Sequence, residues 1–131
     1  TLSKAFNPFV NTQITIYPLY APKHAGSLAL DYERPALGAT LAAHIDGNLA
    51  GRQYTSSADP SLSDSSFIVN ARLALTDIAV SDSGAKVAFA LWSRNLLNEQ
   101  HIYLRNFNSS LGTYVIFNEP RTFGFNATVK F

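Results

Sequence analysis

The sequence predicts an all-β protein whose antiparallel strands form a segment of a transmembrane β-barrel. Five runs of residues alternate between apolar and polar side chains. Each run is long enough to cross the hydrocarbon of an outer membrane when the strand is tilted. The connections between the runs are alternately short and long, which is typical of outer-membrane barrels. No run of about 18 or more apolar residues is present, so no transmembrane helix is predicted.

The clearest of these runs lies at the C-terminal end, near residues 121–131. Every second side chain is apolar, and Thr, Gly, Asn and Lys occupy the positions between. Because side chains alternate across a strand, the apolar set falls on one face. A half-buried strand of a soluble protein gives the same alternation, so the other runs decide between the two interpretations. The apolar set is Phe123, Phe125, Ala127, Val129 and Phe131.

The N-terminal segment, residues 1–25, is predicted to be mostly loop. Pro8, Pro18 and Pro22 interrupt any long helix or central strand across it. Residues 13–17 are its one candidate for a short strand. This segment therefore contributes at most one doubtful strand to the predicted sheet.

Two strands are predicted next, near residues 26–33 and 38–49. In both, apolar side chains occupy every second position and polar or small side chains lie between them. Arg34, Pro35 and Ala36 are predicted to form the tight connection, because proline supplies a turn-compatible φ and donates no strand hydrogen bond. The pair is therefore predicted to be a hairpin.

Two further strands are predicted near residues 67–76 and 86–94. The preceding segment, 51–66, is rich in Ser and Asp and lacks periodicity, so it is predicted to be a loop. A short polar run at 81–84 joins the two strands. The mixed segment 95–120 leads to the last strand. The predicted strands therefore number five, or six with the doubtful one.

The lengths of the connections separate two kinds of barrel. Short connections at 34–37 and 78–85 alternate with long ones. Outer-membrane barrels have short periplasmic turns and longer extracellular loops. If Phe131 ends the chain in the periplasm, both short turns are periplasmic and the long segments are extracellular. A soluble sandwich or lipocalin-like barrel need not sort its connections by length, so the pattern favours the membrane barrel.

Closure of the barrel requires more strands than these residues supply. A sheet in lipid cannot leave an open edge, because each unpaired backbone group there costs several kcal/mol. Single-chain bacterial barrels begin at about eight strands. Residues 1–131 are therefore interpreted as the C-terminal portion of one β-barrel domain. The remaining strands are expected from a longer chain or from a split or cleaved assembly.

Composition and motifs argue against several other classes of protein. The formal net charge is +1 and the basic residues are scattered, so no nucleic-acid partner is predicted. The chain has no cysteine, which excludes a disulfide framework and a thiolate metal site. His24, His44 and His101 lack the spacing of metal ligands. No nucleophile elbow, zinc-protease motif or glycine-rich phosphate loop is present. We therefore predict no enzymatic activity, no cofactor and no metal site.

Three segments resemble motifs of TonB-dependent outer-membrane receptors. The first is YAPKH at 20–24, followed by DY at 31–32, which resembles the family's "aPxh…l…dY" segment. The second is ALWSRNLLNEQ at 90–100, which resembles the "lwgrNLtde" signature. The third is EPRTFG at 119–124, which resembles the "ePRtyg" approach to a terminal strand ending in Lys or Arg and Phe. Their order and spacing match the family over about residues 18–131.

The resemblance implies a barrel of 22 strands in the outer membrane, plugged by an N-terminal domain. It implies active uptake of a siderophore-type ligand or another large scarce nutrient, with energy delivered through TonB. Ser93 stands where the family usually has Gly, and Leu97 where it usually has Thr. Neither the plug domain nor the TonB-contacting box is expected within these residues. TonB would therefore act through the absent plug.

The resemblance also implies partners for the barrel wall. These are outer-membrane lipid, the remainder of the same barrel with its plug domain, and the barrel-assembly machinery. In this family the terminal aromatic residue and the alternate apolar residues before it are read by that machinery. The positions of this implied assembly signal are Phe123, Phe125, Val129 and Phe131.

Several polar and aromatic residues are candidates for contacts in the lumen or with a ligand. Polar side chains of the predicted strands would face the lumen, where basic ones favour an anionic ligand and most others bond water or the plug. Aromatic residues of the last long segment would stack on an aromatic ligand or pack within a loop. Trp92 and Tyr103 are instead predicted to lie in the interfacial aromatic girdle. The candidates for lumen or ligand contact are His44, Asp46, Asn70, Arg72, Arg94, Tyr114 and Phe117.

Two other functions remain open at the level of the sequence. One is a soluble ligand-binding β-barrel module, and the other is an outer-membrane enzyme barrel. Dependence on detergent or lipid distinguishes a membrane barrel from the soluble module. A plug domain and a TonB box upstream in the full gene distinguish a receptor from the enzyme barrel.

Overall fold

The computed structural model describes residues 3–9, 12–80 and 84–130. Within these residues the protein is all-β, with nine strands and no helix. No stretch of them forms a helix long and apolar enough to cross a membrane. The predicted all-β class with antiparallel sheets is therefore confirmed. The strands are β1 Ser3–Asn7, β2 Thr12–Ile16, β3 Ala25–Ala36, β4 Ala39–Ala50, β5 Ser66–Ala79, β6 Lys86–Arg94, β7 Ile102–Asn108, β8 Gly112–Phe117 and β9 Thr122–Lys130.

The chain divides into two compact units. Unit 1 comprises Thr1–Gly26, Leu49–Ser66 and Gln100–Glu119. Unit 2 comprises the remaining segments and contains the five-stranded sheet. These remaining segments are Ser27–Asn48, Phe67–Glu99 and Pro120–Phe131.

Unit 2 is built on a sheet with the strand order β3-β4-β5-β6-β9. Strands β3 and β9 are its two edges, so the described residues do not close a barrel. The five predicted strands correspond to these five observed strands. Short connections join β3 to β4 and β5 to β6, and long segments join β4 to β5 and β6 to β9.

The register of the sheet aligns the apolar sides of neighbouring strands. Leu73 on β5 lies opposite Leu91 on β6, which lies opposite Phe125 on β9. The Phe89 and Phe125 rings are stacked, with their centroids 5.9 Å apart. Because side chains alternate across each strand, this register gives the sheet one apolar face and one polar face.

The connection between β3 and β4 differs from the prediction. Arg34, Pro35 and Ala36 were expected to form the turn, but all three lie within β3. The turn consists of Leu37 and Gly38, whose φ angles are 56° and 74°. Positive φ at both central residues is the geometry of a two-residue hairpin turn. Pro35 is accommodated because β3 is an edge strand, where a missing backbone donor costs no ladder hydrogen bond.

Strand β5 extends beyond the predicted boundary at residue 76. A bulge between Leu75 and Ile78 adds one residue to β5 relative to β6, and Asp77 there has a φ of 59°. The extra residue returns Ile78 to the apolar face, opposite Val87. The predicted short connection continues through residues 81–83, which lie outside the described residues.

Unit 1 contains two hairpins in segments predicted to be irregular. Strands β1 and β2 pair antiparallel within the N-terminal segment, and β7 pairs antiparallel with β8 between β6 and β9. Tyr54 bridges to Leu19 on one side and to Leu62 on the other. Buried Thr55 exchanges hydrogen bonds with the backbone of Arg105. These contacts give the long connections an order that periodicity does not predict.

Candidate functional site

The apolar face of the five-stranded sheet is exposed. Twelve of its large side chains retain between 42% and 71% of their maximal accessibility. The buried apolar residues of the described structure are Ala39, Val69, Ala74 and Ala90, of which the largest is valine. An exposed apolar surface of this extent marks contact with lipid or with another macromolecule. The twelve exposed large side chains of the apolar face are Leu28, Leu30, Tyr32, Ile45, Leu49, Phe67, Leu73, Phe89, Leu91, Phe123, Phe125 and Val129.

Two grooves run between the side chains of this apolar face. The larger has a volume of about 540 Å³ and reaches from Leu30 on β3 to Phe123 on β9. The second has a volume of about 410 Å³ and lies between Leu41 and Phe125. Full burial of one large apolar side chain stabilises a protein by about 1.5–3 kcal/mol. Contact of this face with lipid or with a partner protein would therefore be strongly favourable in free energy, because it removes several large apolar side chains from water.

The opposite, polar face carries a hydrogen-bonded network across three strands. His44 Nδ1 lies 2.7 Å from Asp31 Oδ1, and His44 Nε2 lies 3.4 Å from Asp46 Oδ1. The amide groups of Asn48 and Asn70 both donate to Asp46 Oδ2, at 2.7 Å and 2.9 Å. The predicted residues His44, Asp46 and Asn70 therefore lie together, and Asp31 and Asn48 complete the network.

The network continues to the segment after β6. The backbone N–H of Asn95 donates to Asn70 Oδ1 at 3.1 Å. Asn95 is buried and has a φ of 50°, and its side-chain amide exchanges hydrogen bonds with the backbone of Glu99 at 2.8 Å. Asn tolerates the left-handed region better than most residues and satisfies local backbone groups. Asn95 therefore fixes how the chain leaves β6.

Trp92, predicted to lie in an interfacial aromatic girdle, is on the polar face of the sheet. It pairs with Gly124 on β9, and a Cβ added at Gly124 would lie 2.0 Å from the indole. The indole Nε1 donates to Asn126 Oδ1 at 2.7 Å. The Arg94 guanidinium lies 5.6 Å from the ring centroid, within cation–π range. Glycine is therefore required at 124 because the indole covers that backbone.

The two predicted lumen arginines flank this tryptophan. Arg72 on β5 lies opposite Trp92, and Arg94 follows it on the same face of β6. In the described part of the chain neither guanidinium forms an ion pair within 4.0 Å. The polar face is consequently basic beside β6, whereas Asp31 and Asp46 make it acidic beside β3 and β4.

The predicted assembly-signal residues lie on the apolar side of β9. Phe123, Phe125 and Val129 are 67%, 60% and 51% exposed. Phe131 lies outside the described residues. The free edge of β9 and the exposed side chains beside it are therefore both available to another strand or protein.

The other predicted aromatic contacts lie in unit 1. Tyr114 and Phe117 are on β8 and are about half exposed, and the Tyr114 hydroxyl accepts a hydrogen bond from Asn106 at 3.0 Å. Tyr103, predicted to lie in the girdle, is stacked on Tyr20 with the ring centroids 6.1 Å apart. Tyr114 and Phe117 thus belong to a different unit from the lumen candidates on β4, β5 and β6.

Local hydrogen bonds also order the segment between β4 and β5. Hydrogen bonds from Ser56 and Ser61 lower the pKa of the Asp59 carboxyl below its usual value. Asp64 Oδ2 accepts from the backbone of Ile102 at 3.0 Å. Short side chains that bond to nearby backbone groups in this way stabilise turns without regular secondary structure.

Sequence reasoning missed Asp31 and the pair formed by Trp92 and Gly124. A two-residue turn at Leu37 and Gly38 places Asp31 beside His44, so a correct turn would have predicted that contact. Among the described residues, no group of three or more His, Asp or Glu side chains is placed to hold a metal ion. The fold and site define an antiparallel sheet with an uncovered apolar face and a hydrogen-bonded polar face. Comparison with protein-family models, with curated proteins and with solved structures finds no match.

Proposed function

We propose that these residues form the C-terminal part of the β-barrel of a TonB-dependent outer-membrane receptor. The parent protein would take up a siderophore-type ligand or another large scarce nutrient across the outer membrane. The observation that carries the proposal is the apolar face, which is exposed on all five strands of unit 2. A transmembrane strand needs about 9–11 residues, and these five strands have 12, 12, 14, 9 and 9.

The arrangement of polar groups supports a lumen on the opposite face. A barrel wall in lipid alternates apolar-out and polar-in, so its hydrogen-bonding side chains gather on the inner face. The network of Asp31, His44, Asp46 and Asn70 follows this arrangement. A soluble barrel would instead bury its large apolar side chains inside. The exposed edges β3 and β9 would pair with other strands of the same barrel.

The partners and the location follow from the proposal. The apolar face would contact outer-membrane lipid, and the polar face would contact the plug domain, through which TonB acts. The apolar side chains of β9 would be read by the barrel-assembly machinery. No catalytic role is proposed for any of these residues.

A matched pair of cysteine variants tests the membrane orientation. Residues 1–131 contain no cysteine, so once any cysteine elsewhere in the full-length protein is replaced by serine, Leu73→Cys and Arg72→Cys each provide a single thiol. The two positions are adjacent, exposed and on opposite faces of β5. In the full-length protein reconstituted in vesicles, bimane at position 73 should emit at shorter wavelength and be quenched by lipid-borne nitroxide. Bimane at position 72 should be insensitive to that quencher. Equal quenching at both positions would contradict a lipid-facing apolar side.

A transport experiment tests the receptor assignment separately. Cells that depend on the full-length protein for growth on a scarce iron chelate should lose uptake when TonB is deleted, because TonB delivers the energy. Binding of the chelate to the cell surface should persist, since the binding loops remain. Cells lacking the full-length protein are the control. Uptake that is unchanged without TonB would contradict the proposed TonB-dependent transport, but it would not contradict the proposed β-barrel.

A further inference from the structure

Arg121 occupies a fixed position at one end of the apolar face. Its guanidinium lies 5.4 Å from the ring centroid of Phe123, in cation–π range. Arg121 Nη1 donates to the carbonyl of Leu96 at 3.3 Å, and its backbone N–H donates to Asn98 Oδ1 at 3.2 Å. Two hydrogen bonds and an aromatic contact therefore hold an exposed cation immediately before β9.

The charge of Arg121 is not neutralised within the described structure. None of the ion pairs formed by residues 3–9, 12–80 and 84–130 involves it. Among the apolar-face positions of the described strands, only Arg34 is also charged, and it lies near the Leu37 turn at the opposite end of the sheet. Arg121 and Arg34 thus lie at opposite ends of the apolar face, and the apolar-face positions of the described strands between them are uncharged.

An apolar groove begins beside this cation. Phe123, on which Arg121 is stacked, lines the groove of about 540 Å³ together with Leu91, Ile45 and Leu30. The side chains of these four residues are exposed. The groove therefore offers an apolar surface with a positive charge beside it, at Phe123.

We propose that Arg121 and this groove bind an anionic phospholipid. The phosphate would accept hydrogen bonds from the guanidinium, whose planar fork matches phosphate geometry. One acyl chain would lie in the groove, where it replaces water on apolar side chains. The inference rests on the proposed function, since it requires the apolar face to lie in a bilayer. The end of that face is where headgroups lie, and a basic side chain near an anionic membrane surface contributes about fivefold in affinity.

Native mass spectrometry of the full-length protein in detergent tests this site. The probes are palmitoyl-oleoyl phosphatidylglycerol and palmitoyl-oleoyl phosphatidylcholine, which share acyl chains and differ in net charge. The wild type should prefer phosphatidylglycerol by about fivefold, and Arg121→Gln should remove the preference. Arg121→Lys should retain part of it, because the charge remains without the fork. High salt should weaken the preference of the wild type for phosphatidylglycerol, because salt screens the charge of Arg121. This measurement requires no substitution.

Arg94→Gln is the matched control, because Arg94 pairs with Thr122 at the same end of the sheet but on the polar face. It should keep the preference. The inference is overturned if Arg121→Gln keeps the preference, if Arg94→Gln loses it equally, or if excess inorganic phosphate displaces phosphatidylglycerol. Equal binding of both lipids would refute this inference alone. Binding of neither lipid would refute the proposed membrane function as well.

Discussion

Replacing Gly124 with alanine should destabilise the pairing of β6 with β9 by about 1–3 kcal/mol. The new Cβ would lie 2.0 Å from Cζ2 of the Trp92 indole, so the ring must leave its position over the β9 backbone. Its departure breaks the Nε1 hydrogen bond to Asn126 and the contact with Arg94. The measurement is the free energy of unfolding of the full-length protein in lipid vesicles, from urea titration monitored by circular dichroism and gel mobility, neither of which depends on Trp92.

Two variants separate the clash from a general effect of changing glycine. Gly26→Ala lies in β3, where an added Cβ meets no atom within 4 Å, so it should change the stability by less than about 0.5 kcal/mol. Combining Gly124→Ala with Trp92→Ala removes the indole ring with which the new Cβ at position 124 would clash. The double variant should therefore cost less than the sum of the two single variants. Strict additivity would show that Gly124 acts independently of Trp92.

The Trp92 contact shows why sequence reasoning reached the strands but not their cross-strand pairs. The alternation of β6 already places Trp92 on the polar side, opposite in direction to Leu91. The residue of β9 that lies opposite Trp92 depends on the register between β6 and β9. The long segment 95–121 joins these two strands, so no tight turn fixes that register. Periodicity therefore predicts the face of a side chain, whereas its neighbour requires the pairing. The girdle predicted for Trp92 used its position near a strand end, whereas its contacts with Gly124 and Asn126 follow from the pairing of β6 with β9.

The missed turn has a similar physical cause. Pro35 is a strong turn former, so the sequence places the connection one to three residues too early. On an edge strand the missing N–H of proline is harmless, and β3 continues to Ala36. Leu37, the first of the two turn residues with positive φ, carries no sequence signal for that geometry. The same error concealed the contact between Asp31 and His44, because that contact depends on how the hairpin is paired.

The short hairpins of unit 1 illustrate a third limit. Strand β8 has six residues, of which the last four are apolar, and so short an apolar run is compatible with several structures. The candidate strand at 13–17 corresponds to β2, whereas proline residues and mixed composition concealed β1, β7 and β8. The ends of these short strands are set by the pairing of β1 with β2 and of β7 with β8, and by polar contacts such as that of Thr55 with Arg105. Long alternating strands are predictable because one face of each is uniform. Short strands that depend on loop contacts are not.

Introducing arginine on the apolar face distinguishes lipid from water as its surroundings. Leu30 lies mid-strand on β3, is 63% exposed and lines the larger groove. If this face contacts the bilayer core, Leu30→Arg should cost about 2–4 kcal/mol, because a charge near the midplane is poorly solvated. If the face contacts water, arginine at so exposed a position should be nearly neutral. The free energy of unfolding of the full-length protein in vesicles measures the difference.

Ala29→Arg is the matched control for this substitution. Ala29 is adjacent, exposed and at nearly the same depth, but its side chain points to the polar face that carries Asp31 and Asp46. A new guanidinium there gains carboxylate neighbours and remains in the polar environment proposed for the lumen, so the stability should change by less than about 0.5 kcal/mol. A large penalty for Leu30→Arg alone assigns the apolar face to lipid. Equal effects of the two variants would contradict that assignment, because two neighbouring arginines differ only in the face on which they lie.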